Sequence, residues 1–448
     1  MNQPTTGLST RDGGTGEVGS PRGRKSAVAG FLGTFVEYYD FSVYGFLVVF
    51  TAPLFFPSAN PTTSVLASLG AFAGGYVMRP LGALFFGSLG DRRGRRIALL
   101  VTIVGMGVST MIMGLLPTYA SIGVLAPILL IVARLLQGFC AGGEIVGAAT
   151  LVAESSPDRK RGLLQSFVTL GSGWGVAAAP AVVGLVSAIV GTQAMGTWGW
   201  RIPLLVSVVF TLLCLAYRLR LDDSPEFENI AATTEVDKTP VRTAIRAHWR
   251  SILAVAVLVL AITCTTAVLL SYMNIYMIKI AEIPPTTVYW LSAIVIALGS
   301  FGYLFGGMAV DRIGAKASLL IGYGGCAVLI YPAMLTMTSN ASLIVIGALY
   351  CAAVLFNSFS TPSVYLTFTQ AFPTEVRYTG AAIGFNLGAV IGGGFTPYAA
   401  AWLTDVTGRP QSPALLVVAA AVVGVAMMLY LHRLTGTTRH TSRKELSQ

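Results

Sequence analysis

The sequence predicts an all-α polytopic membrane protein, with twelve transmembrane helices in two pseudo-symmetric six-helix bundles. Three observations predict it. The 448 residues are 54% hydrophobic and only 11% charged, where a soluble domain carries about 25% charged residues. Apolar runs of membrane-crossing length recur along the whole chain, and basic residues cluster in alternate connections between them. Too few charges exist to coat the two or three soluble cores that such a length would require. The 50 glycines follow no G-x-y period and fall inside apolar runs, where membrane helices use them for close packing. Cys140, Cys214, Cys264, Cys326 and Cys351 lie singly within apolar segments, so neither a disulfide framework nor a metal site is expected. No cofactor is expected either.

A membrane span needs roughly 20 apolar residues. Such runs occupy 27–50, 64–88, 97–116, 122–150, 163–190, 202–220, 251–278, 286–310, 317–338, 341–370, 380–402 and 413–432. The polar N-terminal tail, 1–26, brings Arg22, Arg24 and Lys25 up to the first run without a small-residue cleavage site, so the first helix is expected to be retained. Of the 29 basic residues, 24 fall in the tails and even-numbered connections. Arg201, Lys279 and Arg409 fall in the odd-numbered ones. This bias places both termini in the cytoplasm of a cell-membrane protein. The net charge of +10 then reflects topology, and the scattered positives are not a nucleic-acid footprint. Trp198 and Trp200 beside Arg201, and Trp402, fit interfacial anchoring.

The longest polar break, 221–250, separates an N-terminal bundle (27–220) from a C-terminal one (251–432), which is followed by a tail at 433–448. A turn pattern recurs in both halves. Gly87, Asp91, Arg92, Gly94 and Arg96 follow the second run, and Gly307, Asp311, Arg312, Gly314 and Lys316 follow the eighth at identical spacing. A weaker echo sets Glu154, Pro157, Arg161 and Gly162 against Pro373, Glu375, Arg377 and Gly380. Repeated halves of this kind bind substrate between them, near the bilayer midplane.

The chain resembles the metabolite:proton symporter family of the major facilitator superfamily, which includes transporters for 2-oxoglutarate, citrate, shikimate and proline or betaine. The resemblance rests on GTFVEYYDFSVYGFL (33–47), MRPLGALFFGSLGDRRGRR (78–96), RLLQGFCAGGEIVGA (134–148), WGWRIPLL (198–205) and FPTEVRYTGAAIGFNLG (372–388). The family usually carries Trp where Tyr38 stands.

Ionisable groups at membrane depth are costly, and each is a functional hypothesis. Glu37, Asp40 and Tyr44 share one helical stripe. Asp40 lies about 20 Å in from the cytoplasmic end, and Arg79, about 18 Å before Asp91, reaches a similar depth. Arg134, Gln137, Ala141 and Glu144 form a second stripe. A buried carboxylate can take up and release a proton while an Arg grips an anion, so Asp40, Glu37 and Glu144 are the proton-coupling candidates. Arg79, Arg134 and Tyr44 are the substrate-binding ones, with Tyr272, Asn357 and Asn386 completing the cavity from the second half. Asp91, Arg95, Glu154, Arg161, Asp311, Arg312, Glu375 and Arg377 are positioned to close the cytoplasmic side, with an aspartate facing a helix N-terminus of the opposite half.

No sensing domain or catalytic constellation supports a receptor or an enzyme, and no Walker loop supports an ATP-driven pump. The expectation is proton-coupled uptake of a small organic acid by a monomer through alternating access, because two buried arginines favour an acid. A proline or betaine symporter, a proton-independent facilitator and a drug exporter are the alternatives.

Overall fold

A computed structural model describes residues 21–58, 61–221, 223, 240–339 and 341–445. Residues 1–20 of the expected tail, nearly all of 222–239 in the expected linker, and the last three residues lie outside the described residues. No strand occurs among those described.

The first half is built from α1 (Pro21–Phe55), α2 (Pro61–Arg93), α3 (Arg95–Leu115), α4 (Leu125–Ser155), α5 (Arg161–Val190) and α6 (Arg201–Arg218). The second opens with α7 (Pro240–Thr266), which starts inside the stretch read as linker, kinks at His248 and continues through a π turn to Lys279. It goes on with α8 (Pro285–Gly299), α9 (Phe301–Met337), α10 (Leu343–Gln370), α11 (Arg377–Gly394), α12 (Thr396–Thr407) and α13 (Ala414–Glu445). Eight helical stretches among the described residues are long and apolar enough to cross a membrane. One of these, Trp290–Met337, holds two of the expected passes. At Gly314 its backbone turns to φ 84°, ψ 161°, and Ser318 on the far side donates to the Gly306 carbonyl at 3.4 Å, so the chain doubles back there.

Gly94, between α2 and α3, adopts φ 100°, ψ 151°, nearly the same angles as Gly314. A side chain is strained in that region, which is why both copies of the repeated turn carry glycine at this point. The lipid face is legible along α3, where Ile97, Val101, Val104, Val108, Ile112 and Leu115 form one exposed apolar stripe. By contrast α4 is buried on all sides from Cys140 to Ser155, and it crosses α2 so closely that a Cβ on Gly138 would lie 1.8 Å from the Gly75 carbonyl oxygen. Gly171 and Gly175 of α5 pack the same way on the Phe31 and Phe35 carbonyls of α1.

Two expectations are corrected. Trp200 is buried against Phe55, with ring centroids 5.4 Å apart, and is no interfacial anchor; Trp198 and Trp402 are exposed. Arg218, one of the 24 basic residues assigned to the tails and even-numbered connections, is buried inside the first bundle.

Candidate functional site

The stripe on α1 meets α2, α3 and α4 in the interior. Arg79 of α2 lies 3.2 Å from Glu37 Oε1, with both side chains buried. Its guanidinium stacks 4.2 Å from the Phe41 ring centroid and 4.9 Å from that of Tyr76. Neither Glu37 oxygen accepts a hydrogen bond from a described residue. Beside Glu37 on α1, Tyr38 packs against a core cluster that includes Tyr365 of the second half.

One turn along α1, Asp40 accepts a hydrogen bond from the Thr110 hydroxyl at 2.9 Å. Thr110 Oγ1 accepts in turn from Gln137 Nε2 at 2.7 Å, and Gln137 Oε1 accepts from Arg134. The Arg134 guanidinium lies 3.9 Å from the Tyr44 centroid, and Tyr44 shares a 3.0 Å hydrogen bond with Ser68. The expected stripes therefore converge, but by two routes: Arg79 reaches its carboxylate directly, and Arg134 reaches Asp40 through Gln137 and Thr110.

Glu144 is set apart from these two. Arg218 of α6 pairs with both of its oxygens, one contact being 3.0 Å, and Thr102 donates to it at 2.5 Å. Arg218 also donates to the Leu99 carbonyl at 2.9 Å and the Ala29 carbonyl at 3.3 Å. The pair thus ties α1, α3, α4 and α6 together. Gly33 leaves room for it, since a Cβ there would overlap the guanidinium.

The polar residues of the second half are scattered. Tyr272 shares a 2.9 Å hydrogen bond with Thr404, and Asn357 bonds Thr265 and Thr266 at 2.8 and 3.1 Å. Asn386 alone of the three is seen to cross to the first half, donating at 2.9 Å to the Gly142 carbonyl.

The repeated turns meet at the end of the molecule that carries the arginine-rich segments, the basic face. Asp91 accepts from the backbone N–H groups of Tyr378 and Thr379 at 3.3 and 2.8 Å, capping α11. Asp311 accepts from Gly162 and Leu163 at 2.6 and 2.8 Å, capping α5. Glu154 receives Arg95 at 3.0 Å from its own half and Arg377 at 3.0 Å from the other. Arg95 also reaches Asp91 at 3.3 Å and the Thr374 carbonyl at 2.9 Å. Arg161 turns instead to Asp158 at 3.1 Å. Arg312 and Glu375 are exposed at the rim.

Sequence reasoning missed Arg218, Thr102 and Thr110. It also missed Asp223, which caps α3 by accepting from Arg95 N at 3.0 Å, and Tyr378, whose hydroxyl donates at 2.5 Å to the Gly143 carbonyl across the halves.

Two helical halves joined at one face, around buried ion pairs, are the architecture of a multi-pass secondary transporter. The chain belongs to the Major Facilitator Superfamily, whose profile matches residues 30–388. It is 37% identical over 415 residues, 90% of this chain and 82% of the relative, to a proline/betaine transporter of Salmonella typhimurium. It is 35% identical over 421 residues, 91% of this chain and 83% of the relative, to the glycine betaine/proline/ectoine/pipecolic acid transporter OusA of Dickeya dadantii. The solved structure of the proton:xylose symporter XylE bound to 6-bromo-6-deoxy-D-glucose superposes with a TM-score of 0.71 at 17% identity, covering 93% of this chain and 96% of that one.

Proposed function

We propose that this protein takes up a small zwitterionic osmolyte of the betaine or proline kind together with protons. It works as a monomer in the cell membrane, with the basic face and both termini in the cytoplasm. The observation that carries this reading is the charge balance of the interior. Arg79 is paired with Glu37 at 3.2 Å, and Arg134 is linked to Asp40 through two side chains, so with both carboxylates ionised the site holds no surplus positive charge for a free organic anion. A zwitterion adds no net charge. Its carboxylate suits a guanidinium, and its quaternary or secondary ammonium suits aromatic faces, of which Phe41 and Tyr76 already hold a cation. The names of the relatives at 35–37% identity agree with this class. Two buried arginines favoured an organic acid while their partners were unknown; with partners in place, that argument loses its force.

Asp40 and Glu37 are the groups that exchange the proton. Glu144, saturated by Arg218 and Thr102, serves as a tie in the first bundle. With Asp91, Asp311 and Glu154 all engaged across the halves, the cytoplasmic side is shut.

The test is uptake into proteoliposomes of glycine betaine, proline, 2-oxoglutarate and citrate, with and without an inward proton gradient. Gradient-driven accumulation of betaine or proline, with neither acid competing, is the expected result. Accumulation of an acid instead would return the reading to an organic-acid symporter.

A further inference from the structure

We propose that Thr110 and Gln137 form a directional hydrogen-bond relay that reports the protonation state of Asp40 to Arg134, and so couples proton binding to substrate binding. This rests on the function proposed above.

The direction follows from which groups can donate. A guanidinium has donors only, so the oxygen of Gln137 must face Arg134 and its NH2 must face Thr110, which lies 2.7 Å away. Thr110 Oγ1 therefore accepts from Gln137, and its single proton must point elsewhere. It has two acceptors within reach, Asp40 Oδ2 at 2.9 Å and the Met106 carbonyl at 3.1 Å. When Asp40 is ionised, the charged acceptor takes the proton and the line runs unbroken from Arg134 to Asp40. When Asp40 is protonated, it donates to Thr110, whose own proton turns to Met106. No heavy atom needs to move, yet the line from Arg134 ends on a charged carboxylate in one state and at Thr110, shared as acceptor between Gln137 and a neutral Asp40, in the other.

The surroundings leave few competing influences. Asp40, Thr110, Gln137 and Arg134 are all buried. Thr110 reaches Asp40 from α3, Arg134 acts on it from α4, and Ser207 faces it from α6. Glu37 and Tyr39 are the titratable neighbours on α1 itself, and Arg79 of α2 acts on Glu37 and on Arg134.

The test is the pH profile of osmolyte uptake in proteoliposomes. Uptake falls on the alkaline side as Asp40 loses its proton from the outside. Thr110→Val removes the donor that stabilises the ionised carboxylate, so Asp40 keeps its proton to higher pH. The alkaline limb should move by about one pH unit upward, the size expected for one hydrogen bond to a charged group. Thr110→Ser should restore the wild-type limb. Gln137→Met should move the limb the same way by less, because Thr110 then loses the donor that polarises its hydroxyl toward Asp40. Substrate exchange at acidic pH shows that each variant is folded, and Gln137→Met decides the matter if Thr110→Val does not fold. A limb that stays put in the folded variants overturns the relay alone. A wild-type protein whose transport does not respond to pH overturns both the relay and the proton-coupled reading beneath it.

Discussion

Asp91 and Asp311 each cap a helix of the half to which the other belongs: Asp91 holds the N-terminus of α11 at 2.8 Å and Asp311 that of α5 at 2.6 Å. A carboxylate at an exposed helix N-terminus is already favourable. Here both are reached across the boundary between halves, so both contacts must break before the basic face can part.

Asp91→Asn should therefore shift the population toward the state open at the basic face by about 1–2 kcal/mol, about 5- to 30-fold. A cysteine placed in the basic-face vestibule, on a background with the five native cysteines replaced, should label faster in this variant while osmolyte binding persists. Asp311→Asn should act in the same direction but more weakly, because Asp311 is only half-buried where Asp91 is buried. Unchanged labelling in both variants, with transport intact, would place the gate elsewhere.

The Arg218–Glu144 pair makes a different prediction, about stability. Removing one partner strands a buried charge at a cost of about 3–5 kcal/mol, whereas replacing both with apolar side chains is often nearly neutral. Arg218→Met should thus unfold well below wild type in detergent, and Arg218→Met with Glu144→Met should recover most of the loss. Should the double variant be as unstable as the single one, the tie matters for more than charge.

Much of this was legible in the sequence, and the pattern of what was not is instructive. Charges at membrane depth announce themselves, so Glu37, Asp40, Arg79 and Arg134 stood out, as did the duplicated turns, whose glycines have no substitute at φ near +90°. Arg218 was hidden because it ends an apolar run two residues before Arg220, where hydropathy cannot tell an inward final turn from a cytoplasmic anchor. Thr102 and Thr110 were hidden for another reason. A hydroxyl in a membrane helix bonds its own preceding turn by default, as Thr110 does with Met106, and only helix packing reveals its second partner. Tyr272 and Asn357 show the converse, polar residues whose observed partners, Thr404 and Thr265, lie within their own half and not across the boundary.

Asp40→Asn should abolish osmolyte accumulation while leaving counterflow partly intact, since exchange of bound substrate needs no net proton movement. Equal accumulation by the variant and the wild type, under the same proton gradient, would remove Asp40 from the coupling step.

Arg79→Lys keeps the charge beside Glu37 but loses the planar group that stacks on Phe41 and Tyr76. Apparent affinity for betaine should fall by about tenfold, roughly 1.4 kcal/mol, with little change in thermal stability. Normal affinity would reduce Arg79 to a helix-pairing role.

Tyr378 supplies the last prediction. It is buried with its ring against Gly90 and its hydroxyl bonded to the Gly143 carbonyl at 2.5 Å, and the space beside it exists because Gly147 has no side chain. A Cβ on Gly147 would sit 2.2 Å from the hydroxyl oxygen and 2.6 Å from the ring carbon that bears it. Gly147→Ala should therefore expel the ring and open the basic face, raising the labelling rate of a vestibule cysteine as Asp91→Asn does. Tyr378→Phe removes only the hydrogen bond, worth about 1 kcal/mol, so its labelling should rise by about fivefold. In the double variant the nearest clash is gone but the ring contact at 2.6 Å remains, and labelling should fall between the rate of Gly147→Ala and that of the parent. If Gly147→Ala alone leaves labelling unchanged, Tyr378 has somewhere else to go when the face is closed, and the two glycine-lined helices do not hold it shut.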